Sequence, residues 1–191
     1  MASNPVTKLT EEQYLALDRA AEIRSEFLDG EMVAMSGVSM VHARLQWNIS
    51  TGLDAHLRDH GCEGFGSDFR VRVSSRMYAY PDVTVVCGKP VLADDRQDIL
   101  LNPVVLFEVL SPSTEKYDRG VKFQHYRTIE SLNEYILVAQ EQVLVEQYIR
   151  QSDNTWSLRD FQNLDNDLKI DAIGVTLSLQ RIYRGVELPS G

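Results

Sequence analysis

The stretch YPDVTVVCG, from Tyr80 to Gly88, predicts a buried strand near the centre of the fold. This strand opens with a proline and an acid. The apolar, β-branched residues after Asp82 are typical of a strand buried on both faces of a sheet. Aspartate is a poor strand former, and burial of its carboxylate is costly unless another group pairs with it. Asp82 therefore needs a partner from elsewhere in the chain.

A second acid lies in the same kind of setting. Glu108 stands inside PVVLFEVL, which also predicts a buried strand, and glutamate is almost never fully buried without a partner. If strands 82–87 and 104–110 are neighbours, Asp82 and Glu108 converge at the edge of the sheet. Two carboxylates this close favour binding of a divalent cation, and their hard oxygen atoms favour Mg²⁺ or Mn²⁺ over zinc.

A basic helix is predicted next, by EKYDRGVKFQHYRTI. Lys122 lies in this helix 14 residues after Glu108, and its spacing of four from Asp118 and from Tyr126 places these three on one helical face. A lysine there can orient or activate a water and neutralise charge on a phosphoryl group. Three more basic residues of the stretch could contact a nucleic-acid backbone, namely Lys116, Arg119 and Arg127. A solvated surface explains these charges equally well.

The dipeptide DG at residues 29–30 is a strong hairpin signal between two short apolar runs. Pairing across this turn places Leu28 opposite Glu31 and Glu26 opposite Val33. Both glutamates therefore share one face of the hairpin with apolar neighbours, which is unusual for a purely structural hairpin.

The other elements predict an α/β (α+β) fold with a mixed central sheet flanked by helices. LTEEQYLALDRA predicts a first helix capped by Thr10, and a long helix with apolar residues at every fourth position runs from Ser39 to a stop at Gly61. FRVRVSS predicts a half-exposed strand, whereas GFG at residues 64–66 predicts a turn or bulge. EYILVAQ and VLVEQYI predict two further strands.

The composition is that of one globular domain spanning residues 1–191. The chain is 43% apolar, and no apolar run approaches the roughly 18 residues of a membrane span, so we expect a cytoplasmic protein without a membrane partner. The net charge of −9 argues against a broad nucleic-acid-binding face but allows a local one. Cys62 and Cys87 lack a CxxC spacing, so the sequence predicts reduced cysteines and neither a disulfide nor a zinc site.

Five ordered motifs carry a resemblance to a known family: FLDGEMVAMS with His42 just after it, PDVTVV, FEVLSPST, DRGVKFQHY and EYILV. Together they resemble the Uma family of restriction-endonuclease-like proteins, within the PD-(D/E)XK nuclease superfamily, from about Glu22 to Glu187. In the usual superfamily pattern the lysine follows the second acid by two residues, where this chain has Leu110. The Uma-like pattern supplies the lysine from the next helix, which matches Lys122.

The resemblance implies a Mg²⁺-dependent (or Mn²⁺-dependent) endonuclease that hydrolyses phosphodiester bonds in DNA on a restriction-endonuclease-like fold. Its catalytic residues would be Asp82, Glu108 and Lys122, with the two acids holding the metal. Three supporting residues would lie near this site, namely Glu26, Glu31 and His42. The expected partner is DNA, and a homodimer would let two active sites address two strands.

Two interpretations of a different class stay open. The same fold could serve as a non-catalytic module that binds nucleic acid or protein. Alternatively, Asp82 could be an ordinary strand-start residue behind a proline, and Glu108 could form a buried structural salt bridge with Lys122. The acidic balance and Leu110 favour these interpretations, whereas the presence of all three candidate catalytic residue types favours the enzyme.

Overall fold

The computed structural model describes residues 8–189, which form strands and mostly short helices. In chain order the strands are β1 (Ser25–Leu28), β2 (Glu31–Ala34), β3 (Cys62–Gly66), β4 (Arg70–Ser74), β5 (Met77–Ala79), β6 (Val83–Cys87), β7 (Ile99–Leu100), β8 (Val105–Leu110), β9 (Glu134–Ala139), β10 (Val145–Arg150), β11 (Trp156–Phe161), β12 (Asp167–Ile170) and β13 (Val175–Ser178). The α-helices are α1 (Glu11–Ala20), α2 (Met40–Leu57), α3 (Glu115–Tyr117), α4 (Phe123–Tyr126) and α5 (Leu179–Ile182). The π-helical turn Asp118–Lys122 joins α3 to α4, and 3-10 turns occupy Arg58–His60 and Asp171–Ile173.

A six-stranded mixed sheet, in the order β11-β10-β9-β8-β6-β3, forms the centre of the fold. Its pairs are antiparallel except β8 with β9, which run parallel. Buried residues of α2 such as Leu45 and Ile49 pack with Phe107 on one face, while Tyr126 of α4 packs with Leu106 on the other. The predicted mixed central sheet flanked by helices is therefore confirmed.

A second sheet, in the order β2-β1-β5-β4-β7, packs against α1, and β12 pairs with β13 in a separate hairpin. Thr10 caps α1 as predicted, since its side chain accepts a hydrogen bond from the Gln13 backbone N–H. The half-exposed strand predicted for FRVRVSS is wrong at its start. Arg70 is buried at 2% exposure because Asp18 of α1 pairs with its guanidinium at 2.5 Å and Tyr80 accepts a further hydrogen bond at 2.8 Å.

The hairpin of β1 and β2 has the predicted register, with Glu26 opposite Val33 and Leu28 opposite Glu31. Asp29 and Gly30 both have positive φ, 51° and 91° respectively. This backbone conformation is what a tight two-residue hairpin turn requires, and it explains the DG dipeptide at this point.

The long helix α2 confirms the prediction for residues 39–61. The Ser39 hydroxyl accepts a hydrogen bond from the His42 backbone N–H and so caps the helix N-terminus. At the other end, a 3-10 turn leads into Gly61 with φ of 66°, a left-handed conformation in which glycine is favoured. The fourfold apolar spacing faces the central sheet, and the N-terminus of the helix therefore lies beside the start of β6.

Two predictions for the neighbourhood of β3 are wrong. Residues 64–66 belong to strand β3, which pairs with β6, rather than to a turn or bulge. Cys62 and Cys87 form a disulfide in this structure instead of being reduced thiols. The antiparallel register places the two residues directly opposite each other, a tertiary relationship that their separation of 25 residues in the chain does not reveal.

The helical segment 115–126, composed of α3, the π-helical turn and α4, agrees with the helix predicted there. Gly120 lies in the π-helical turn, together with Asp118 and Lys122. Single π-helical turns inside helices are frequent at functional sites, and this one carries the predicted catalytic lysine. Within residues 8–189, no helix combines the length and the apolar composition that crossing a bilayer requires.

Candidate active site

Asp82 and Glu108 lie on neighbouring antiparallel strands, as predicted. Val83 of β6 pairs with Phe107 of β8, so the next step of the register sets Asp82 opposite Glu108. Both are buried, with 9% and 4% of their surface exposed. The two acids singled out in the sequence therefore meet at one end of the central sheet.

Asp82 is held by groups from α2 and β8. Its Oδ1 lies 2.8 Å from His42 Nε2, and its Oδ2 accepts a hydrogen bond from the Val109 backbone N–H at 2.7 Å. Gln46, one turn after His42, donates to the Asp82 carbonyl oxygen at 2.9 Å. The first two turns of α2 thus fix both the backbone and the side chain of this acid.

Glu108 is bound by the helical segment 115–126. Its Oε1 accepts hydrogen bonds from Lys122 Nζ and from the Tyr126 hydroxyl, each at 2.9 Å. Lys122 Nζ also lies 3.0 Å from Glu26 Oε1 and 3.4 Å from Asp118 Oδ1. The lysine is only 6% exposed, so three carboxylates surround one buried ammonium group.

Burial and the neighbouring charges shift the pKa values of the residues in this cluster. Burial raises the pKa of Glu108 well above its ordinary value, and Lys122 opposes this while the other acids add to it. Burial also raises the pKa of Asp118. Burial alone would lower the pKa of Lys122, but the carboxylates of Glu108, Glu26 and Asp118 raise it well above the ordinary value. Lys122 is consequently an ammonium ion near neutral pH.

A cavity of about 350 Å³ opens onto these side chains. One wall is formed by the loop 35–39, between β2 and α2, and another by the loop 111–114 after β8. The charged or titratable residues in its lining are Glu26, His42, Tyr80, Asp82, Glu108, Tyr117, Asp118 and Lys122. The cluster is therefore accessible to a small ligand or to a phosphate group of a larger one.

The oxygen atoms of Asp82 and Glu108 suit a hard divalent cation. Mg²⁺ is commonly bound through only one or two carboxylates and keeps several waters or substrate oxygens as its other ligands. Within residues 8–189 no three His, Cys, Asp or Glu side chains converge as a complete ligand set. The donors present thus fit a cation held by two carboxylates and completed by water or phosphate, rather than an all-protein cage.

The other predicted residues differ in whether they line this cavity, are exposed to solvent or are paired with other side chains. Glu31 is exposed at the turn end of the hairpin and does not line the cavity, whereas Glu26 does. Lys116 and Arg127 are exposed on the helical segment. Arg119 is engaged in ion pairs with Glu115 and Glu146.

Three residues of the candidate site were not among the predicted site residues. They are Gln46, Asp118 and Tyr126, which contact Asp82, Lys122 and Glu108 respectively. The spacing of four on either side of Lys122 had already placed Asp118 and Tyr126 on the helical face of the lysine, but no role in the site was assigned to them. Gln46 had a weaker signal, since it is one helical turn from His42. Only the packing of α2 against β6 brings Gln46 to Asp82.

Comparisons with known proteins agree with this fold. The family model Uma2, described as "Putative restriction endonuclease", matches residues 11–180. The uncharacterized proteins slr1290 and sll1609 of Synechocystis sp. are 35% and 36% identical to this chain, the first over 96% of both chains and the second over 84% of this chain and 92% of the relative.

A crystal structure described as that of a putative nuclease belonging to DUF820, from Anabaena variabilis, has a TM-score of 0.76 to this chain. The match covers 92% of this chain and 97% of that one, at 16% identity, and so it shows a shared fold. Because the family model spans most of the sequence and includes every residue of the buried cluster, this chain belongs to the Uma2 family.

Proposed function

We propose that this protein is a Mg²⁺- or Mn²⁺-dependent endonuclease that hydrolyses phosphodiester bonds in DNA, with Asp82, Glu108 and Lys122 at its catalytic centre. The observation that carries the proposal is the surplus of buried acid around a single lysine, open to a cavity. Family membership supports a nuclease, and the chemistry of the cluster supports the metal.

The surplus of acid favours a metal site over a structural ion pair. One carboxylate suffices to neutralise Lys122, yet Glu26, Glu108 and Asp118 all lie within 3.4 Å of its Nζ, and Asp82 lies opposite Glu108. Buried charges of one sign destabilise a fold when there are too few charges of the opposite sign to pair with them. A divalent cation between Asp82 and Glu108 would remove this imbalance, which is why we favour the metal site.

Asp82 and Glu108 would hold the cation, which when bound would polarise the scissile phosphate and lower the pKa of a water. His42 and Val109 keep the Asp82 carboxylate in place. Lys122 stabilises negative charge that develops on the phosphoryl oxygens. Its raised pKa makes it a poor proton acceptor, so we assign it charge stabilisation and positioning rather than the role of general base.

The DNA-binding surface in this proposal is small. Lys116 and Arg127 are exposed and could contact phosphates, whereas Arg119 is already paired with acids. A net charge of −9 is consistent with a local contact surface rather than a broad basic face. A homodimer, in which two sites address two strands, and a cytoplasmic location belong to the same proposal and rest on the sequence.

The proposal predicts metal-dependent cleavage. Purified protein should cut plasmid, single-stranded or structured DNA in Mg²⁺ or Mn²⁺ and not in chelator, as followed on gels. Lys122→Ala should lower the cleavage rate by about 10²-fold, because it removes a cation from the site of developing charge. Lys169→Ala is the matched control, since the Lys169 side chain is 70% exposed and paired with Asp171, and its rate should match the wild type.

Two outcomes would contradict the proposal. Cleavage that persists in chelator would show that the metal is not required. Wild-type protein that binds the metal yet leaves all three kinds of DNA intact would favour the non-catalytic module on the same fold.

A further inference from the structure

Tyr126 is a fully buried tyrosine whose hydroxyl makes a hydrogen bond to Glu108, a proposed metal ligand. It is 0% exposed, and its hydroxyl donates to Glu108 Oε1 at 2.9 Å. Lys122 donates to the same oxygen at the same distance. Neither donor is directed at the other carboxylate oxygen, Oε2.

The two donors make the oxygens of Glu108 unequal. A carboxylate oxygen has two lone-pair sites, so Lys122 and Tyr126 together fill those of Oε1. In the part of the chain that the structure describes, no residue donates a hydrogen bond to Oε2. Oε2 is nevertheless not a buried atom without a partner, so it keeps contact with solvent. Since Glu108 lines the cavity, Oε2 is the oxygen open to it.

We infer that Tyr126 is a positioning residue that, together with Lys122, turns the Glu108 carboxylate so that Oε2 is presented to the divalent cation. The inference rests on the proposed metal site and adds a residue that does not touch the metal itself. Hydrogen bonds from such outer groups orient metal ligands, and their loss commonly weakens metal binding.

The surroundings of Tyr126 suit this role because they fix its ring. The ring packs edge-on against Tyr135, with centroids 5.2 Å apart and planes at 83°. It belongs to the apolar cluster between the helical segment 115–126 and the central sheet. The position of its hydroxyl is therefore fixed, and this position sets the orientation of the Glu108 carboxylate.

Tyr126→Phe tests the inference, with Tyr135→Phe as the matched control. Tyr135 is equally buried, and its hydroxyl donates to the Asp118 backbone oxygen at 3.2 Å, so this variant also loses one buried hydroxyl without touching Glu108. Binding of Mn²⁺ is measured by calorimetry without DNA, at a temperature where circular dichroism shows all three proteins folded. We expect the dissociation constant to rise by about tenfold or more in Tyr126→Phe and to stay at the wild-type value in Tyr135→Phe.

A second readout separates positioning from a general loss of structure. Excess Mn²⁺ should restore DNA cleavage by Tyr126→Phe, because weaker binding is overcome by concentration. Equal Mn²⁺ affinity in Tyr126→Phe and wild type, or an equal loss in both tyrosine variants, would overturn the inference while leaving the proposed nuclease intact. If the wild type itself binds no Mn²⁺, the proposed metal site and this inference fall together.

Discussion

Glu108 is the residue on which the competing interpretations differ most. It pairs with Lys122 at 2.9 Å, as a structural salt bridge would. It also lies opposite a second acid and close to two more, in surroundings that raise its pKa. A structural ion pair should stabilise the metal-free protein, whereas an unfilled metal site should be destabilised by its own negative charge.

Glu108→Gln tests this difference, because glutamine keeps the shape and its Oε1 can still accept from Lys122 and Tyr126. The folded-state pKa of Glu108 is raised above 4.5, so its stabilising contribution is present below about pH 4.5 and is lost as the pH rises through the raised value. The metal-free wild type should therefore melt at a lower temperature at pH 8 than at pH 5. Glu108→Gln should reduce this difference and melt higher than wild type at pH 8, as measured by calorimetry.

Magnesium provides the second arm of the same experiment. At ten times its dissociation constant it should stabilise the wild type by about 1.4 kcal/mol at pH 8, and it should not shift Glu108→Gln. Glu130→Gln, at an exposed position, serves as the control for loss of one negative charge. A Glu108→Gln protein that melts below wild type at pH 8, with no magnesium effect in either, would support the structural ion pair.

Among the secondary-structure elements, the hairpin of β1 and β2 contributes Glu26 to the candidate site. Its pairing with β5 sets Phe27 opposite Tyr78 and so brings Glu26 beside Tyr80, whose backbone N–H donates to Glu26 Oε1 at 3.4 Å. From there the carboxylate reaches Lys122 at 3.0 Å. The turn that closes the hairpin therefore helps to place an acid in the site.

Gly30→Ala should destabilise the protein by about 1–2 kcal/mol, because residue 30 has φ of 91° and an added Cβ would lie 2.6 Å from Lys8 Cβ. Chemical denaturation with urea measures the change. Gly37→Ala is the matched control, since its Cβ would meet no atom within 4 Å, and it should leave stability unchanged or slightly higher. Equal stability of the two variants would show that the turn adopts another conformation in solution.

The fold as a whole is held together by contacts between segments far apart in the chain. The central sheet receives α2 on one face and the helical segment 115–126 on the other, and these deliver His42 and Lys122 to the same cavity. The edge strand β3 is attached to β6 by the Cys62–Cys87 disulfide. This bond closes a loop that contains β4 and β5 and ends in the strand that follows Asp82.

Reduction of the disulfide should lower the free energy of unfolding by about 3 kcal/mol, since it releases a loop with a separation of 25 residues in the unfolded chain. Thermal melts with and without a dithiol reductant measure the loss. The double variant Cys62→Ser/Cys87→Ser should melt like the reduced wild type and be insensitive to reductant. Two thiols that react with a thiol reagent under denaturing, non-reducing conditions would show that the bond is absent.

The sequence alone was sufficient for the elements whose signals are local. The Thr10 cap of α1, the bounds of α2 near Ser39 and Gly61, the DG turn and the apolar periods depend on neighbours within a few residues, and the structure has all of them. The buried acids Asp82 and Glu108 could be found for the same reason, because an acid inside an apolar run requires a partner wherever the strand lies. Their meeting followed once the two strands were taken as neighbours.

Contacts between segments far apart in the chain could be known only from the tertiary structure. Glu26 and Glu31 share a face of the hairpin, and only the register of β1 against β5 selects Glu26 for the site. Arg70 has the local pattern of an exposed residue and is buried because Asp18 of α1 neutralises it. The disulfide and the contact between Gln46 and Asp82 likewise arise from strand order and helix packing, which bring together residues that carry no common signal in the chain.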